Sequence, residues 1–371
     1  MGNPRCSLCG SVTQKWGKTA AGRPRYRCCS CQASCSRSND VTARHFARFL
    51  DFVTSDATYQ DFPGGGRTAR RHFHQFWQLW PINPLVDEVH HVVFVDGIYL
   101  SRKLVVLIAC TKTHVLGWHV ARQETTAAWQ ALFARIAPPD VVVCDGGPGI
   151  ASAVKTSWPA TRIQRCTFHA FSVVKRHTTS RPRTQAGVEL YGLAKDLLRI
   201  RTREESLSWM NALAAWNTRW KDFLSQRTRL ANGVIVPTHM RLIKAKNSLN
   251  TLVRKGTLFT YLDPTLVIDD DPIPATSNLI ESLNSRLRHL LRAHRGMPLD
   301  HQVKTVLWWC YQHTEFPQTP AQLLTNTYTD TQIKELFTRA NVHHAQQEIQ
   351  RWGTGVNWTD FHHNGQWQGP I

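Results

Sequence analysis

The sequence predicts an α/β fold that carries a helical insertion and is preceded by a small cysteine-rich unit. Three observations carry that prediction. Apolar runs of strand length, Val92-Val-Phe-Val95, Leu104 to Cys110 and Val141-Val-Val-Cys144, are interleaved with helix-period segments. Residues 170–270 then lose the strand pattern and read as largely helical and basic. Six of the ten cysteines crowd into residues 6–35. A chain of 371 residues has room for several such units.

Residues 1–37 predict a zinc ribbon. Cys6-Ser-Leu-Cys9 and Cys28-Cys-Ser-Cys31 are two CxxC pairs separated by 18 residues. Each pair can place two thiolates on one tetrahedral zinc ion, and the intervening segment makes the hairpin between them. So short a segment cannot build a core without such a staple. Cys29 and Cys35 are spare, which leaves a Cys28/Cys35 or Cys31/Cys35 pairing open. Arg23 and Arg25 beside the second pair are placed to lie along a phosphate backbone.

Residues 41–84 predict a helix-turn-helix. Phe46, Phe49, Leu50 and Val53 recur at helical spacing, Pro63-Gly-Gly-Gly66 breaks the pattern, and a basic helix with Arg67, Arg70 and Arg71 follows. A small helical bundle with a charged face would show the same pattern.

From 88 to 170 the reading is a three-strand meander (92–95, 104–110, 115–120), a helix over 124–136 and a strand at 141–144. A helix near 149–157 and a strand near 161–165 follow. This β-β-β-α-β-α-β order is the one RNase H-like folds use. An α-helical insertion, 171–272, follows; its Trp209, Trp216 and Trp220 read either as core or as bases' stacking partners. Residues 273–315 supply the last helices of the catalytic core. Over 277–292, Ile280, Leu283, Leu287, Leu290 and Leu291 form an apolar stripe, while Glu281, Ser285, Arg288 and Arg292 share another. Residues 316–371 read as a C-terminal helical segment and a loosely ordered tail.

Charge and carboxylates point to chemistry on a polyanion. Forty-five lysines and arginines face 26 acidic residues, a formal charge of +19. The excess recurs at 14–27, 67–71, 175–183, 241–255 and 286–295, a footprint expected for nucleic acid. Asp96 and Asp145 each close a strand-like run, and Glu281 sits early in a helix. Two divalent ions need such hard oxygen ligands for in-line attack on a phosphodiester. Taken singly, Asp96-Gly97 and Asp145-Gly146 also fit turns, and Glu281 fits a helix cap with Asn278 as N-cap. Asp269-Asp270-Asp271, in a proline-flanked loop, is the weaker source of a third ligand. Cys166 and His169 have metal-ligand spacing. No apolar stretch is long enough to span a membrane and the N-terminus lacks a signal-peptide core, so a reducing cytoplasm is expected.

Val-Asp96-Gly, Cys144-Asp145-Gly, Arg165-Cys166-Thr-Phe-His169-Ala and Asn278-Leu-Ile-Glu281-Ser-Leu-Asn284-Ser-Arg286-Leu-Arg288 resemble the DDE transposases of the Mutator-like class, common in bacterial insertion sequences. His294-Arg295-Gly296 also fits that class. The likeness covers roughly residues 90–310. It implies an RNase H-like fold with a helical insertion, two magnesium or manganese ions on Asp96, Asp145 and Glu281, and Cys166 with His169 as the family's Cys/His pair. The ribbon ahead of the catalytic unit and the spacing of 136 positions from Asp145 to Glu281 suit a subgroup with a large insertion. The implied function is binding of terminal inverted repeats, strand cleavage and transfer to target DNA, by a homodimer at the bacterial nucleoid. Arg288, Arg292 and Arg295 are the expected phosphate contacts. A nuclease without strand transfer and a non-catalytic DNA-binding derivative are the alternatives.

Overall fold

The computed structural model describes residues 3–6, 9–36, 41–268 and 271–347. Strands β1 (Thr13–Lys18), β2 (Pro24–Cys28) and β3 (Ser34–Ser36) form an antiparallel sheet in that order. Helices α1 (Thr42–Thr54) and α2 (Gly65–His74) follow, joined by residues 55–64, and then the short strand β4 (Leu79–Trp80).

The main sheet combines β5 (Val92–Leu100), β6 (Leu104–Cys110), β7 (Val115–Ala121), β8 (Val141–Cys144) and β9 (Arg162–Arg165). Its order is β7-β6-β5-β8-β9, with β5 antiparallel to β6 and parallel to β8. Helix α3 (Thr126–Phe133) joins β7 to β8, and α4 (Pro148–Ser157) joins β8 to β9. The element order read from the sequence therefore holds. One boundary moves: β5 does not end at Asp96 but runs on to Leu100, because β6 pairs with it as far as Leu100↔Leu104. The hairpin between them is closed by Ser101 and Arg102 at φ 49° and 57°.

Both faces of this sheet are covered, which is why its strands read as unbroken apolar runs. Val93, Val95, Val105, Leu107 and Val142 pack against Trp129, Leu132, Ile150 and Val154 of α3 and α4. Phe94, Ile98, Val106, Ile108 and Val143 pack on the opposite side with α1, α10 (Asn278–Ala293) and α11 (Leu299–Gln312). Helices α1 and α2 belong to that core. Phe46 meets Trp308 of α11 at 5.5 Å between ring centroids, and Phe49 meets Phe73 at 5.9 Å.

A second hydrophobic centre lies in the insertion, formed by α5 (Thr167–Thr178), α6 (Gln185–Asp196), α7 (Arg203–Arg219), α8 (Lys221–Ser225) and α9 (Met240–Arg254). A two-stranded hairpin, β10 (Arg227–Arg229) and β11 (Ile235–Pro237), separates α8 from α9. The insertion tryptophans are core. Trp209 and Trp216 are buried and donate their indole N–H to the carbonyls of Leu193 and Ala186, and the half-buried Trp220 donates to Glu189.

After α11 come α12 (Pro320–Asn326), β12 (Tyr328–Thr329), which pairs with β4, and α13 (Asp330–Gln347). The buried Lys304 of α11 donates to Asp330 at 2.6 Å, and Trp80 donates to the same carboxylate. The tail expected to be loosely ordered, 348–371, lies outside the described residues, as do Asp269 and Asp270. Asp271 is ion-paired with Lys112. Among the described residues no helix is long and apolar enough to cross a membrane.

Candidate active site

Parallel pairing of β5 with β8 sets the first two carboxylates. Val95 lies opposite Cys144, so Asp96 and Asp145 are the next residues along two neighbouring strands. Asp96 sits inside β5 and not in a turn; its Oδ1 accepts the Gly97 N–H at 2.9 Å. Asp145 leaves the sheet where β8 ends. Its Oδ1 accepts the Gly147 N–H at 3.0 Å, and Gly146 takes φ +76°, a conformation that glycine tolerates best.

Helix α10 closes the site from the other side. Asn284 is fully buried and its Nδ2 donates to Asp96 Oδ2 at 2.8 Å, while its own Oδ1 has no partner. Glu281 lies one turn earlier on the same helix. The cap reading of Glu281 fails: the N-cap is Ser277, not Asn278, and its hydroxyl donates to Glu281 Oε1 at 2.7 Å without capping a backbone N–H. His169 Nδ1 approaches the same oxygen at 3.5 Å.

Cys166 and His169 join this end of the site. Cys166 ends the connection from β9, and its sulfur accepts the Ser277 N–H at 3.3 Å. Burial opposes its thiolate, but hydrogen bonds from His169 and Ser277 outweigh that and hold the thiol below its ordinary value. His169 is raised by its hydrogen bond to Cys166, with Glu281 and Asp145 adding to it. Among the described residues Cys166, His169 and Glu281 bring one donor atom each within 4.8 Å of one another, as a single ion would require. Asp96 and Asp145 do not join that group.

Two further residues reach the site, Glu124 and Arg165, neither of which the sequence pattern marks as carrying chemistry. Glu124, just before α3, reaches over Gly97: a Cβ at 97 would stand 2.8 Å from its Oε1. Burial first, then Asp145 and Asp96, push its carboxyl up to about 7. A glycine inside a central strand was the available signal, since it marks a close approach. Arg165, at the end of β9, lies against Gly146, and its buried Nε and Nη1 have no hydrogen-bond partner.

Burial, reinforced by Asp145, also holds the Asp96 carboxyl above its usual range, against the hydrogen bonds from Gly97 and Asn284. Asp96, Asp145 and Glu124 thus repel one another in a partly desolvated place. The donor set is all hard oxygen, and a divalent cation would relieve that repulsion. Oxygen donors of this kind are the type that magnesium and manganese take, although among the described residues Asp96, Asp145 and Glu124 do not bring three donor atoms together as Cys166, His169 and Glu281 do.

At the N-terminus, Cys6, Cys9, Cys28 and Cys31 bring their sulfurs together. Cys6–Cys31, Cys9–Cys28 and Cys9–Cys31 are separated by 3.5, 3.4 and 3.5 Å. Tetrahedral zinc with bonds of about 2.3 Å holds its sulfurs about 3.8 Å apart, so the cluster is compatible with a zinc ribbon. Ser11 hydrogen bonds lower Cys9 to about 6, while Cys31, lowered by the Ala33 backbone but raised more by Cys6, Cys9 and Cys28, goes up to about 12, so one proton is held between the sulfurs. Cys35 stands opposite Tyr26 on β3 and outside the cluster, as does Cys29.

The arginines expected to meet DNA are exposed: Arg23 and Arg25 on the ribbon, Arg67, Arg70 and Arg71 on α2, Arg288 and Arg292 on α10, and Arg295 after it. Arg70 lies over the Tyr59 ring at 5.2 Å. His294 is buried, its Nε2 2.7 Å from the Ser55 carbonyl, which ties the end of α10 to α1.

Comparison with known proteins agrees with the motifs. A probable transposase for an insertion sequence element of Corynebacterium diphtheriae is 25% identical over 207 residues, covering 48% of this chain and 59% of that relative. Residues 80–231, the stretch that holds Asp96, Glu124, Asp145, Cys166 and His169, match the transposase family called Mutator, and with this match the Mutator-like resemblance expected from the motifs is borne out.

Proposed function

We propose that this chain is a DNA transposase that cuts the ends of an insertion sequence and joins them to target DNA. The observation that carries the reading is the convergence on Asp96. Parallel register puts Asp145 beside it, and Asn284 ties it to the helix bearing Glu281. In this reading 88–170 and 273–315 form one RNase H-like catalytic unit interrupted by the insertion 171–272. The ribbon (1–37) and the basic helices (41–84) bind the terminal inverted repeats. Pairing two DNA ends calls for a homodimer, working in the bacterial cytoplasm at the nucleoid.

Asp96, Asp145 and Glu281 would hold two magnesium or manganese ions. When bound, these supply Lewis-acid activation of the attacking hydroxyl and stabilisation of the leaving oxygen. The chain itself does the positioning. Gly97 and Asn284 fix the two oxygens of Asp96, and Ser277 donates to one oxygen of Glu281, with His169 beside it at 3.5 Å. Arg165, whose guanidinium lies against Gly146 with buried N–H groups that no other residue takes, puts a positive charge at the strand end that bears Asp145. Glu124 holds or releases a proton beside Asp96 near neutral pH.

The test is Glu281→Gln, nearly isosteric and uncharged, with labelled terminal-repeat duplex and magnesium or manganese. The wild type is expected to nick and join, and the variant to bind the duplex and do neither. Nicking without joining by the wild type would leave a nuclease; equal behaviour of the two proteins would remove Glu281 from the site.

A further inference from the structure

The helical insertion carries an exposed surface with no counter-charge of its own. From Phe223 to Leu262 the chain has no acidic residue, yet it contains Arg227, Arg229, Arg241, Lys244, Lys246, Arg254 and Lys255. Among the described residues Arg176, Arg227, Arg229, Arg241 and Lys244 are all exposed and none makes an ion pair. Arg241 reaches from α9 to the Arg176 carbonyl of α5 at 2.7 Å, which brings the cations of the two helices together. Arg241 and Lys244, three residues apart, share one side of α9. The charged groups that act on His177 are Lys244, Arg241 and Arg176, all of them cations. Like charges gathered this way raise the energy of the free protein unless an external anion faces them.

Beside them stands the β10–β11 hairpin. Every residue from Ser225 to Ile235 is exposed. Arg227 and Arg229 lie two residues apart on one face and pair with Pro237 and Ile235, so the arginines and Ile235 point the same way. Leu230 and Val234, bonded N–H to carbonyl at 2.8 Å, flank an apex turned by Gly233 at φ +80°. Leu230, Val234 and Ile235 are 44%, 52% and 58% exposed. A two-stranded hairpin has little stability alone. This one is held at its base, where Thr228 and Thr238 share a hydrogen bond of 2.7 Å and His239 stacks on Phe223 at 3.8 Å. An ordered projection with arginines along its strands and bare aliphatic side chains at its tip has the makeup of a groove-entering wedge.

We infer that this surface of the insertion is a second contact for duplex DNA, with the phosphate backbone on Arg176, Arg227, Arg229, Arg241 and Lys244 and the Leu230–Ile235 apex in a groove. This deepens the transposase reading and rests on it, but it concerns binding, not strand chemistry.

The experiment measures affinity of the zinc-loaded full chain for a random-sequence duplex a few helical turns long, over a series of salt concentrations, without added magnesium. Each phosphate contact contributes about 0.9 to the slope of log affinity against log salt. Arg227→Gln with Arg229→Gln is expected to lower that slope by about 2 and to leave the fold, read by circular dichroism, unchanged. Leu230→Ser with Ile235→Ser should weaken binding and leave the slope alone. A slope and affinity unchanged in both variants would overturn the proposal. So would loss of self-association without loss of DNA affinity, which would make the apex a contact between copies of the chain. Because no cleavage is read, failure here leaves the Glu281→Gln experiment untouched, and failure of that experiment leaves the salt series interpretable.

Discussion

Replacing Asn284 with leucine separates positioning from packing. Asn284 is fully buried; one end of its amide donates to Asp96 Oδ2 at 2.8 Å and the other, Oδ1, has no partner. Leucine has the same branched outline, no polar atoms and somewhat bulkier ends. Removing the orphan oxygen relieves a desolvation penalty of about 1–3 kcal/mol, and losing a hydrogen bond to a carboxylate costs about 1.5–3 kcal/mol. The two terms nearly cancel, which leaves the bulk of the leucine methyls as the main cost, about 1–3 kcal/mol. Activity has no such compensation. Asp96 would lose the contact that fixes one of its oxygens, and if that bond is intact in the transition state the cleavage rate falls by about 10- to 150-fold. Asn284→Ala, which keeps neither the shape nor the donor, should lose stability as well. The assay pairs thermal melting with end-cleavage rates titrated against manganese, where Asn284→Leu should need more metal for half-maximal rate. A leucine variant that melts far below wild type yet cleaves with unchanged metal dependence would refute the argument and make Asn284 a packing residue.

Further outcomes follow from the same geometry. The Glu124 carboxyl, raised to about 7 in the folded chain against 4.5 as its ordinary value, binds its proton more tightly when folded. Its contribution therefore favours folding at low pH and is lost as pH rises from about 4.5 through about 7. Glu124→Gln should raise the melting temperature at pH 8 relative to wild type and much less at pH 5. An equal effect at both values would mean that burial and the neighbouring carboxylates do not raise Glu124. Asp330→Ala strips the partner from the buried Lys304 ammonium and should cost about 3–5 kcal/mol in chemical denaturation; Lys304→Met with Asp330→Asn should recover most of that. Cys28→Ser should abolish zinc binding, measured by metal content, and open residues 3–36 to proteolysis while the main sheet's melting transition persists, since the ribbon's strands do not enter that core.

Much of this architecture was legible in the chain. Strands buried on both faces must be apolar throughout, so β5, β6 and β8 announce themselves, and the helical period of α1 and α10 names their buried stripes. The two CxxC pairs specify a local cluster because their ligands are close in sequence or joined by one hairpin. Asp96, Asp145 and Glu281 could be singled out because a carboxylate beside a buried strand, or early in an amphipathic helix, is conspicuous.

Pairing across distance was another matter. The motif on α10 includes Asn284 but does not say what it touches; its role comes from a contact 188 positions away in the chain. Glu124 looks like the acidic start of a helix until the sheet brings Gly97 beneath it. The insertion tryptophans could equally have been exposed, and only the packing of α5 to α9 buries Trp209 and Trp216. Likewise α1 and α2, which read as a separate unit, complete one face of the sheet, because Phe46 and Phe49 find their partners on α2 and on α11, over 200 residues later. Sequence fixes what repeats within a strand, a helix turn or a hairpin, since those energies act between near neighbours. Which carboxylate is desolvated, which amide touches it and which cations are left without a partner depend on surfaces that meet only when the chain has closed.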